Sequence, residues 1–524
     1  MMNPSAYDVA RQTFVILSPE ILLLLTATVM MTAGAFVRLP SRVWYGISAA
    51  ALGVALLVLL ALGTVAGDVY SLAVISDDLS FYARLLLAFT GLIVLALAHD
   101  LVDDGRAPEF FGSLLFINAG AMLVAASNDL VVLFVGLELV SIPTYLILYL
   151  PRRTATTQEA ATKYFFLSLF SSGLLLFGLA YLYGVAGVGN LKALAYLCGH
   201  AANTPQAQFA LLAVVFVIAG LGFRVAAVPF HFYAPDVYEG SPVVIAALLS
   251  WVPKAVGFLA MLRTVTAVVS AVDPANPLVH RAVLLAWIIA VVTMTLGNTV
   301  ALAQDNLKRL LAYSSIAHAG YLMIGVAVAF RNLPDTRFFF GAEGILFYLT
   351  AYAFMTLGAF GVIILLSTAE RPVETVEDLA GLARNHPIVA LAMAVSMFSL
   401  AGVPPLAGFW GKFELFASAF ALSSGADGGL YWWLAVIAVL NAAIGAYYYL
   451  RIVVTMYLRP PSAGTATPRF AWPAATAVAV CALLTVGVGL YPLAVARAAR
   501  LAAEAAVRLP DPIGPTGPVA AARR

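Results

Sequence analysis

The run Ala401-Gly402-Val403-Pro404-Pro405-Leu406-Ala407-Gly408 interrupts an apolar segment that extends from Ile388 to Leu422. As one straight helix this segment would be about 50 Å long, well beyond the roughly 30 Å of hydrocarbon in a bilayer. Proline cannot continue an α-helix, because it lacks the backbone N–H and clashes with the preceding turn. The sequence therefore predicts a membrane helix that is broken near its middle.

A similar break is predicted where the seventh apolar run ends. Ala226-Ala227-Val228-Pro229 repeats the small, small, Val, Pro pattern of Ala401-Gly402-Val403-Pro404. If this short echo reflects an internal repeat and not chance, spans four to eight correspond to spans nine to thirteen. Five spans per unit then require the two copies to be inverted in the membrane. Inverted repeats with discontinuous helices are typical of ion-coupled transporters.

The composition places the rest of the chain in the bilayer as well. Of the 524 residues, 63% are hydrophobic and only 10% are charged, whereas about a quarter of the residues of a soluble domain are charged. We therefore predict an all-α integral membrane protein with about fourteen transmembrane helices, of which helices 7 and 12 are discontinuous. The predicted spans are Ile16–Val37, Val43–Val65, Phe81–His99, Phe110–Ala126, Leu130–Leu150, Lys163–Tyr183, Phe209–Val228, Pro242–Leu262, Ala282–Ala303, Leu310–Phe330, Gly341–Leu366, Ile388–Leu422, Leu430–Met456 and Trp472–Leu493.

Positive charges in the loops predict the orientation, because loops rich in Lys and Arg stay in the cytoplasm. Loops after odd-numbered spans hold Arg38, Arg42, Arg106, Arg152, Arg153, Lys308, Arg309, Arg371, Arg384, Arg459 and Arg469, and those after even-numbered spans hold Lys192, Arg281, Arg331 and Arg337. We expect a multi-pass protein of a bacterial inner membrane with both termini on the periplasmic side. The arginine-rich tail after Arg497 runs against this orientation.

Several function classes are excluded by the sequence. A net charge of +2, with the charges in short clusters between apolar runs, argues against a nucleic-acid partner. Cys198 and Cys481 have no Cys or His neighbours at metal-ligand spacing and are interpreted as structural. Neither a phosphate loop nor a dinucleotide-binding glycine motif is present. We expect no cofactor and no metal in this chain.

Four charges lie inside predicted spans, where ionisable residues are costly and tend to be functional. Glu138 lies roughly 12 Å along the fifth span and Lys254 roughly 18 Å along the eighth. Lys412 follows the predicted break in the twelfth span, and Arg224 precedes Pro229 in the seventh. The alternative interpretation is that these residues form buried ion pairs that only lock helices together.

Lysine usage favours a proton pathway over that alternative. The chain has 28 basic residues, of which only Lys163, Lys192, Lys254, Lys308 and Lys412 are lysines. A buried lysine can release a proton near neutral pH, whereas arginine keeps its proton. Lys254 and Lys412 are therefore predicted proton carriers.

Other ionisable residues are assigned lesser roles. Glu138 is predicted to modulate a neighbouring lysine through its charge. His318 and His231 are possible relays between lysines, with His318 the better candidate because it lies well inside the tenth span, although helix packing explains such a histidine equally well. Glu20 and Arg84 lie near span ends, where long side chains reach the interface at little cost.

The stretch from Gln304 to His318, Gln-Asp-Asn-Leu-Lys-Arg-Leu-Leu-Ala-Tyr-Ser-Ser-Ile-Ala-His, resembles the signature of the antiporter-like membrane subunits of NADH:quinone oxidoreductase (complex I) and of Mrp-type cation/proton antiporters. Ala234-Pro235-Asp236-Val237-Tyr238-Glu239-Gly240-Ser241-Pro242 resembles the N-type subunits in particular, and Lys412 agrees with this branch.

This resemblance implies fourteen helices with two inverted five-helix repeats, at residues 106–266 and 276–458, flanked by residues 1–105 and 459–524. It implies that Glu138 is the acid of helix 5, that Lys254 is the central proton carrier and that Lys412 lies toward the outer exit. The family usually has lysine at the position of Arg224, paired with the acid. Arg224 is therefore expected to keep the electrostatic coupling to Glu138 and to tune its neighbours, but not to pass on protons.

The resemblance also implies partners, namely the other membrane subunits of complex I and the surrounding lipid bilayer. NADH, FMN, iron–sulfur clusters and quinone are expected to bind to the whole complex, and this chain contributes proton translocation to the oxidoreductase. Two alternatives stay open at this point: an Mrp-type cation/proton antiporter subunit, and a non-conducting assembly subunit.

Overall fold

The computed structural model describes residues 6–67, 69–151, 154–201, 207–331, 341–368, 372–425, 427–461, 468 and 471–507. Within these ranges the chain is helical, and its only β-structure is four isolated bridges. The helices are α1 (Ala6–Ile16), α2 (Ser18–Gly34), α3 (Ser41–Leu62), α4 (Asp78–Leu97), α5 (Ala107–Ala126), α6 (Leu130–Tyr149), α7 (Ala155–Ala186), α8 (Leu191–Ala201), α9 (Ala207–Arg224), α10 (Ala234–Gly240), α11 (Val243–Met261), α12 (Ala267–Ser270), α13 (Pro277–Ala301), α14 (Leu307–Ala329), α15 (Gly341–Leu366), α16 (Leu382–Asn385), α17 (Pro387–Ala401), α18 (Ala407–Ala421), α19 (Gly428–Leu458), α20 (Trp472–Leu490) and α21 (Pro492–Val507).

Membrane-spanning helices dominate this architecture. Eleven of the helices in the described ranges are long and apolar enough to cross a bilayer, and α1 with α2, bent by 69°, forms one further candidate. The prediction of an all-α integral membrane protein is confirmed. Of the loop arginines used to predict its orientation, Arg152, Arg153, Arg337, Arg371 and Arg469 lie outside the described residues.

The two ends of the helix array are defined here by the side chains that cluster there. The Asp77 face contains Asp77, Lys192 and Arg263, which come together where α4 begins and where the α11–α12 segment ends. The Lys308 face contains Lys308, Asp236 and Asp305, near the start of α14. Successive spans run between these two faces.

Three helices form the centre of the array. In α14 and α15, and in the segment formed by α11 and α12, the most apolar 18-residue stretch is 94% buried, compared with 28% for α3 and 33% for α19 and α20. The outer helices therefore present their apolar surface to lipid or to neighbouring proteins. Side chains on the inner faces of α11, α14 and α15 are shielded from both, which is where an ionisable residue is most strongly influenced by its immediate neighbours.

Both predicted breaks are present. Helix α9 ends at Arg224, Ala226 has φ +57°, and the amide of Ala227 donates to the carbonyl of Gly222 at 2.8 Å. Helix α17 ends at Ala401, and Gly402 has φ +91°. There the amide of Val403 donates to the carbonyl of Phe398 at 3.0 Å, the same six-residue closure that terminates many helices.

These closures correct the register of the sequence echo. The sequence pattern pairs Ala226 with Ala401, but the left-handed residue and the closing bond pair Ala226 with Gly402 and Ala227 with Val403. The reason is that the helix end is set by the residue that adopts positive φ, and the prolines only follow it. The similarity between the two breaks is structural, with a one-residue shift in sequence.

A buried ion pair joins α2 to α4. Arg84 donates from Nε to Glu20 Oε1 at 2.7 Å and from Nη2 to Glu20 Oε2 at 2.5 Å, and both side chains are 2% exposed. The interpretation that these two charges reach the membrane interface is therefore wrong. Each residue is near the end of its own span in the sequence, but the surrounding helices shield both side chains from the interface.

Replacing Glu20 with glutamine is expected to lower the free energy of unfolding by about 3–5 kcal/mol, because it leaves the charge of Arg84 buried and uncompensated. Thermal denaturation of the assembled protein in membranes measures this. Glu504→Gln is the matched control, since its pair with Arg500 is half exposed and an exposed pair contributes about 0–1 kcal/mol. Equal melting of the two variants would contradict the structural role of the buried pair.

The Asp77 face holds a second buried cluster. Burial works to raise the pKa of Asp77, but two 2.6 Å contacts from the Arg263 guanidinium outweigh it and hold this pKa below its usual value. Burial and the charge of Arg263 lower the pKa of Lys192 to about 8. The Lys192 ammonium donates to the carbonyls of Ala505 and Ala506, at 2.9 and 3.2 Å, in the last turn of α21. This cluster ties the C-terminal helix to the start of α4.

Candidate functional site: a row of buried ionisable residues

The five residues singled out from the sequence fall into two groups. Lys254 on α11, His318 on α14 and Lys412 on α18 form a row in the centre of the array, and each is at most 5% exposed. Glu138 on α6 and Arg224 at the end of α9 form an ion pair to one side of it.

The Glu138–Arg224 pair is anchored by hydroxyl and carbonyl oxygens. Arg224 Nη2 lies 2.9 Å from Glu138 Oε1, and Ser172 Oγ donates to the same carboxylate oxygen at 2.6 Å. Arg224 Nη1 donates to the carbonyl of Leu137 at 3.1 Å and to the hydroxyl of Ser141. Arg224 can hold its charge in this position because its fork of donors is satisfied by neighbours on α6 and α7.

Lys254 is held by oxygen atoms and an aromatic ring. Its Nζ lies 2.6 Å from the Ser315 hydroxyl and 3.3 Å from the Tyr352 hydroxyl, and it also donates to the Ser315 carbonyl. The Tyr352 ring centroid is 4.5 Å from Nζ. These neutral partners solvate an ammonium without neutralising it, so they leave the charge of Lys254 responsive to charges elsewhere.

Lys412 is held by backbone carbonyls at the break in the twelfth span. Its Nζ donates to the carbonyls of Leu400 and Ala401, at 2.8 and 3.0 Å, which the end of α17 leaves without helical partners. The C-terminal end of a helix favours a cation. A Cβ on Gly402 would lie 3.1 Å from Lys412 Cδ, so the glycine that ends α17 also makes room for the lysine.

His318 lies between the two lysines. Its ring centroid is 5.1 Å from that of Tyr352, which contacts Lys254, and 5.8 Å from that of Tyr321. Lys412 Nζ in turn lies 5.2 Å from the Tyr321 ring centroid. The row is therefore continuous through aromatic side chains, and it brings together three of the predicted residues.

Both nitrogen atoms of the His318 ring have hydroxyl partners. Nδ1 contacts the Tyr348 hydroxyl, and Nε2 lies 2.9 Å from the Tyr449 hydroxyl. A tyrosine hydroxyl both donates and accepts, so either ring nitrogen of His318 can exchange a proton with its neighbour. This arrangement suits a group that passes protons between two lysines.

The ion pair is adjacent to the row but not part of it. A Cβ on Gly257, one turn beyond Lys254 on α11, would lie 3.5 Å from Arg224 Cβ and 2.5 Å from Val225 Cγ1. Close approach of α9 at this glycine places Arg224 within a helical turn of Lys254. Glu138 is thus paired with Arg224, and Arg224 approaches α11 one turn from Lys254.

His231 is not joined to the row. It follows the break after α9, and within the described part of the chain its buried Nδ1 has no hydrogen-bond partner. Of the two histidines predicted as possible relays, His318 alone contacts, within the described ranges, residues that reach both lysines.

The sequence interpretation missed the residues that connect the row. Ser315 and Tyr321 lie three positions before and after His318, and Tyr348 and Tyr352 lie four positions apart on α15. Residues three or four apart share one face of a helix, so hydroxyl side chains at this spacing around a buried histidine were a usable signal. Among the described residues, no group of three or more His, Cys, Asp or Glu side chains is placed to hold a metal ion.

Comparison with known proteins points to one family. Residues 127–445 match the family described as NADH:quinone oxidoreductase/Mrp antiporter, TM. The chain is 40% identical over 454 residues to NADH-quinone oxidoreductase subunit N of Trichlorobacter lovleyi, an alignment that covers 85% of this chain and 88% of that relative.

Solved structures give the same result. The chain is similar to a chain of respiratory complex I from Thermus thermophilus with bound aureothin, with a TM-score of 0.73 and 32% identity over 91% of this chain and 98% of that one. A chain of the Mrp complex from Dietzia sp. DQ12-45-1b has a TM-score of 0.80 at 21% identity, covering 97% of this chain and 99% of that one. At that identity the second likeness reflects a shared fold.

Proposed function

The chain belongs to the family of N-type membrane subunits of NADH:quinone oxidoreductase, and from this premise we propose that it translocates protons across a bacterial inner membrane through the row Lys254–His318–Lys412. Translocation is coupled to quinone reduction by other subunits of the complex. The chain thus contributes to an oxidoreductase without carrying out redox chemistry itself.

The single observation that carries this proposal is the position of His318. It lies between the two buried lysines, with an aromatic contact leading to each. A lysine, a histidine and a second lysine in a shielded row are groups that gain and lose protons, whereas a structural lock needs only opposite charges. A set of buried ion pairs would instead place a carboxylate beside each lysine.

Glu138 and Arg224 set when the row transfers protons. Their charges nearly cancel while they are paired, and separating them would expose Lys254 to the uncompensated charge of the nearer partner. Arg224 keeps its proton and so acts only through its charge. This assigns the pair a tuning role.

The partners are the other membrane subunits of the complex and the lipid bilayer. NADH, FMN, iron–sulfur clusters and quinone belong to the other subunits. The outward apolar surfaces of α3, α7 and α19 suit contacts with lipid and neighbouring subunits.

The finer topology is also part of the proposal. The shorter apolar helices α9 and α17, the latter continued by α18, together with α2, would complete fourteen spans. Residues 106–266 and 276–458 are then two inverted repeats between flanking segments 1–105 and 459–524, a division supported by the matching closures after α9 and α17. The Lys308 face would be cytoplasmic and both termini periplasmic.

Lys412→Arg tests the proposal, because arginine keeps the charge and cannot release the proton. In the complete complex this variant is expected to lose about 90% or more of NADH-driven proton pumping, since a positioned proton donor contributes roughly 10²–10⁴-fold. Acidification of inverted membrane vesicles measures it. Lys163→Arg, in a partly exposed pair with Glu159 and Asp236, is the control. Normal pumping by Lys412→Arg would show that this residue contributes only its charge.

A further inference from the structure

Glu414 is a buried carboxyl that the proposed row does not use. It lies on α18, two residues beyond Lys412, and it is only 8% exposed. Its Oε2 has no hydrogen-bond partner among the described residues. Buried carboxylates are costly unless donors or cations compensate them, so an uncompensated one calls for a functional explanation.

Lys412 does not provide that compensation. Residues two apart on a helix point to nearly opposite sides, and the Lys412 ammonium is directed at the carbonyls of Leu400 and Ala401. Glu414 is three residues from Gly411, which packs on α15: a Cβ there would lie 2.2 Å from Tyr348 Cδ2. Glu414 therefore lies on the side of α18 that faces α15.

Close helix packing brings a second carboxyl to the same level. A Cβ on Gly344 of α15 would lie 3.0 Å from Leu415 Cδ2. With Gly411 opposite Tyr348 and Leu415 opposite Gly344, α18 and α15 run antiparallel, and Glu343 lies within about one helical turn of Glu414 in depth. The charge of Glu343 acts on Glu414.

Tyr82 on α4 is the third titratable group near this position. Its hydroxyl lies 2.5 Å from the Thr350 hydroxyl of α15, and it is within electrostatic range of Glu414. The groups around Glu414 are thus a second acid and a phenol from α15 and α4, with Lys412 on its own helix turned away.

Glu343 lies in the first turn of α15, which begins on the Asp77 face, and its side chain is partly exposed. We propose that Glu414 and Glu343 form a two-carboxyl proton-binding site between Lys412 and the Asp77 face. Two shielded carboxyls that interact electrostatically share one exchangeable proton, because both cannot ionise at low cost. This inference rests on the proposed function of the row.

The pair holds one proton at rest, on Glu414, while Glu343 is a carboxylate. Glu414 passes this proton to Glu343 and takes up another from the Lys412 ammonium through hydrogen-bonded water, which leaves Lys412 as a neutral amine. Glu343 then releases its proton to water at the Asp77 face, so the pair again holds one proton. No electron is transferred, and Lys412 is recharged from His318.

Glu414→Gln in the complete complex tests the site, because glutamine keeps the shape and removes the exchangeable proton. Proton pumping in inverted vesicles is expected to fall about tenfold, a conservative value against the roughly 10²–10⁴-fold contribution of a positioned proton donor. Glu414→Asp should restore much of the pumping. Infrared difference spectra of the reduced and oxidised complex should lose one carbonyl band of a protonated carboxylic acid in Glu414→Gln.

Glu504→Gln, an exposed position on α21, is the control and should change neither signal. If Glu414→Gln fails to assemble, Glu343→Gln provides the same two measurements at a partly exposed position. Normal pumping and an unchanged infrared band in an assembled Glu414→Gln or Glu343→Gln complex would overturn the proposal. A pumping defect that appears only when sodium is varied would also overturn it, in favour of a cation site.

Lys412→Arg and Glu414→Gln distinguish a failure of the row from a failure of the two-carboxyl site. If Lys412→Arg pumps normally, the proposed row is wrong. If Lys412→Arg does not pump while Glu414→Gln pumps normally and keeps the infrared band, the row stands and only the two-carboxyl site is wrong.

Discussion

Replacement of Lys254 by methionine is expected to abolish redox-driven proton pumping, with a loss of about 10²-fold or more. Methionine fills a similar volume, so the packing against Tyr352 and Ser315 is largely retained while the proton carrier is removed. Lys254 lies at the shielded centre of the array, and no other lysine among the described residues contacts the Tyr352 end of the row. Coupled NADH:quinone reduction should fall together with pumping.

The measurement compares dye-reported acidification of inverted vesicles with NADH oxidation by the same membranes. Arg459→Met is the control, because it removes a positive charge from an exposed pair with Glu377. Assembly is checked by co-purification with the NADH-oxidising subunits. An assembled Lys254→Met complex that pumps like the native one would exclude Lys254 as a carrier and favour a non-conducting assembly role.

Glu138→Gln is expected to be far more damaging than Arg224→Lys. The glutamine variant leaves Arg224 as a buried charge without its counter-charge, which lowers the free energy of unfolding by about 3–5 kcal/mol. The uncompensated charge of Arg224 also changes the electrostatic environment of Lys254. We expect about a tenfold loss of coupled activity, since 1.4 kcal/mol already corresponds to a factor of ten.

Arg224→Lys keeps the positive charge that pairs with Glu138 and loses only part of the fork of donors to Leu137 and Ser141. Coupled activity should remain within about threefold of the native value, because a hydrogen bond to a neutral acceptor is worth about 0.5–1.5 kcal/mol. The same vesicle assay measures both variants. Equal losses in the two would reject the tuning role of the pair and would require Arg224 itself in the transfer.

Much of the architecture was predictable because membrane insertion depends on local properties. The break in the twelfth span followed from its length and from Pro404-Pro405, and the structure places it between Ala401 and Ala407. The register of the internal echo was not predictable at single-residue precision, since Pro229 and Pro404 are visible in the sequence but the positive φ of Ala226 is not.

The candidate site also contains residues that the sequence identified and residues whose placement required the structure. The sequence identified Lys254, Lys412, Glu138, Arg224 and His318 because a charge in an apolar run is conspicuous without any structure. The sequence interpretation gave no role to Glu414, which is two residues from Lys412, and it placed Glu20 and Arg84 at the membrane interface. Their burial depends on which helices pack over them.

By itself the sequence determined that the chain is a bundle of membrane helices, where two of them break, and which ionisable residues within the spans are candidates for proton exchange. Hydrophobicity, proline geometry and side-chain chemistry act over a few residues, so these features can be inferred from short stretches of the sequence. Only the tertiary structure decided that His318 lies between Lys254 and Lys412 and that the side of α18 that carries Glu414 packs on α15. Each of these contacts is made between helices, at close approaches such as those at Gly257, Gly344 and Gly411, and no pattern along one helix specifies the helix that packs against it.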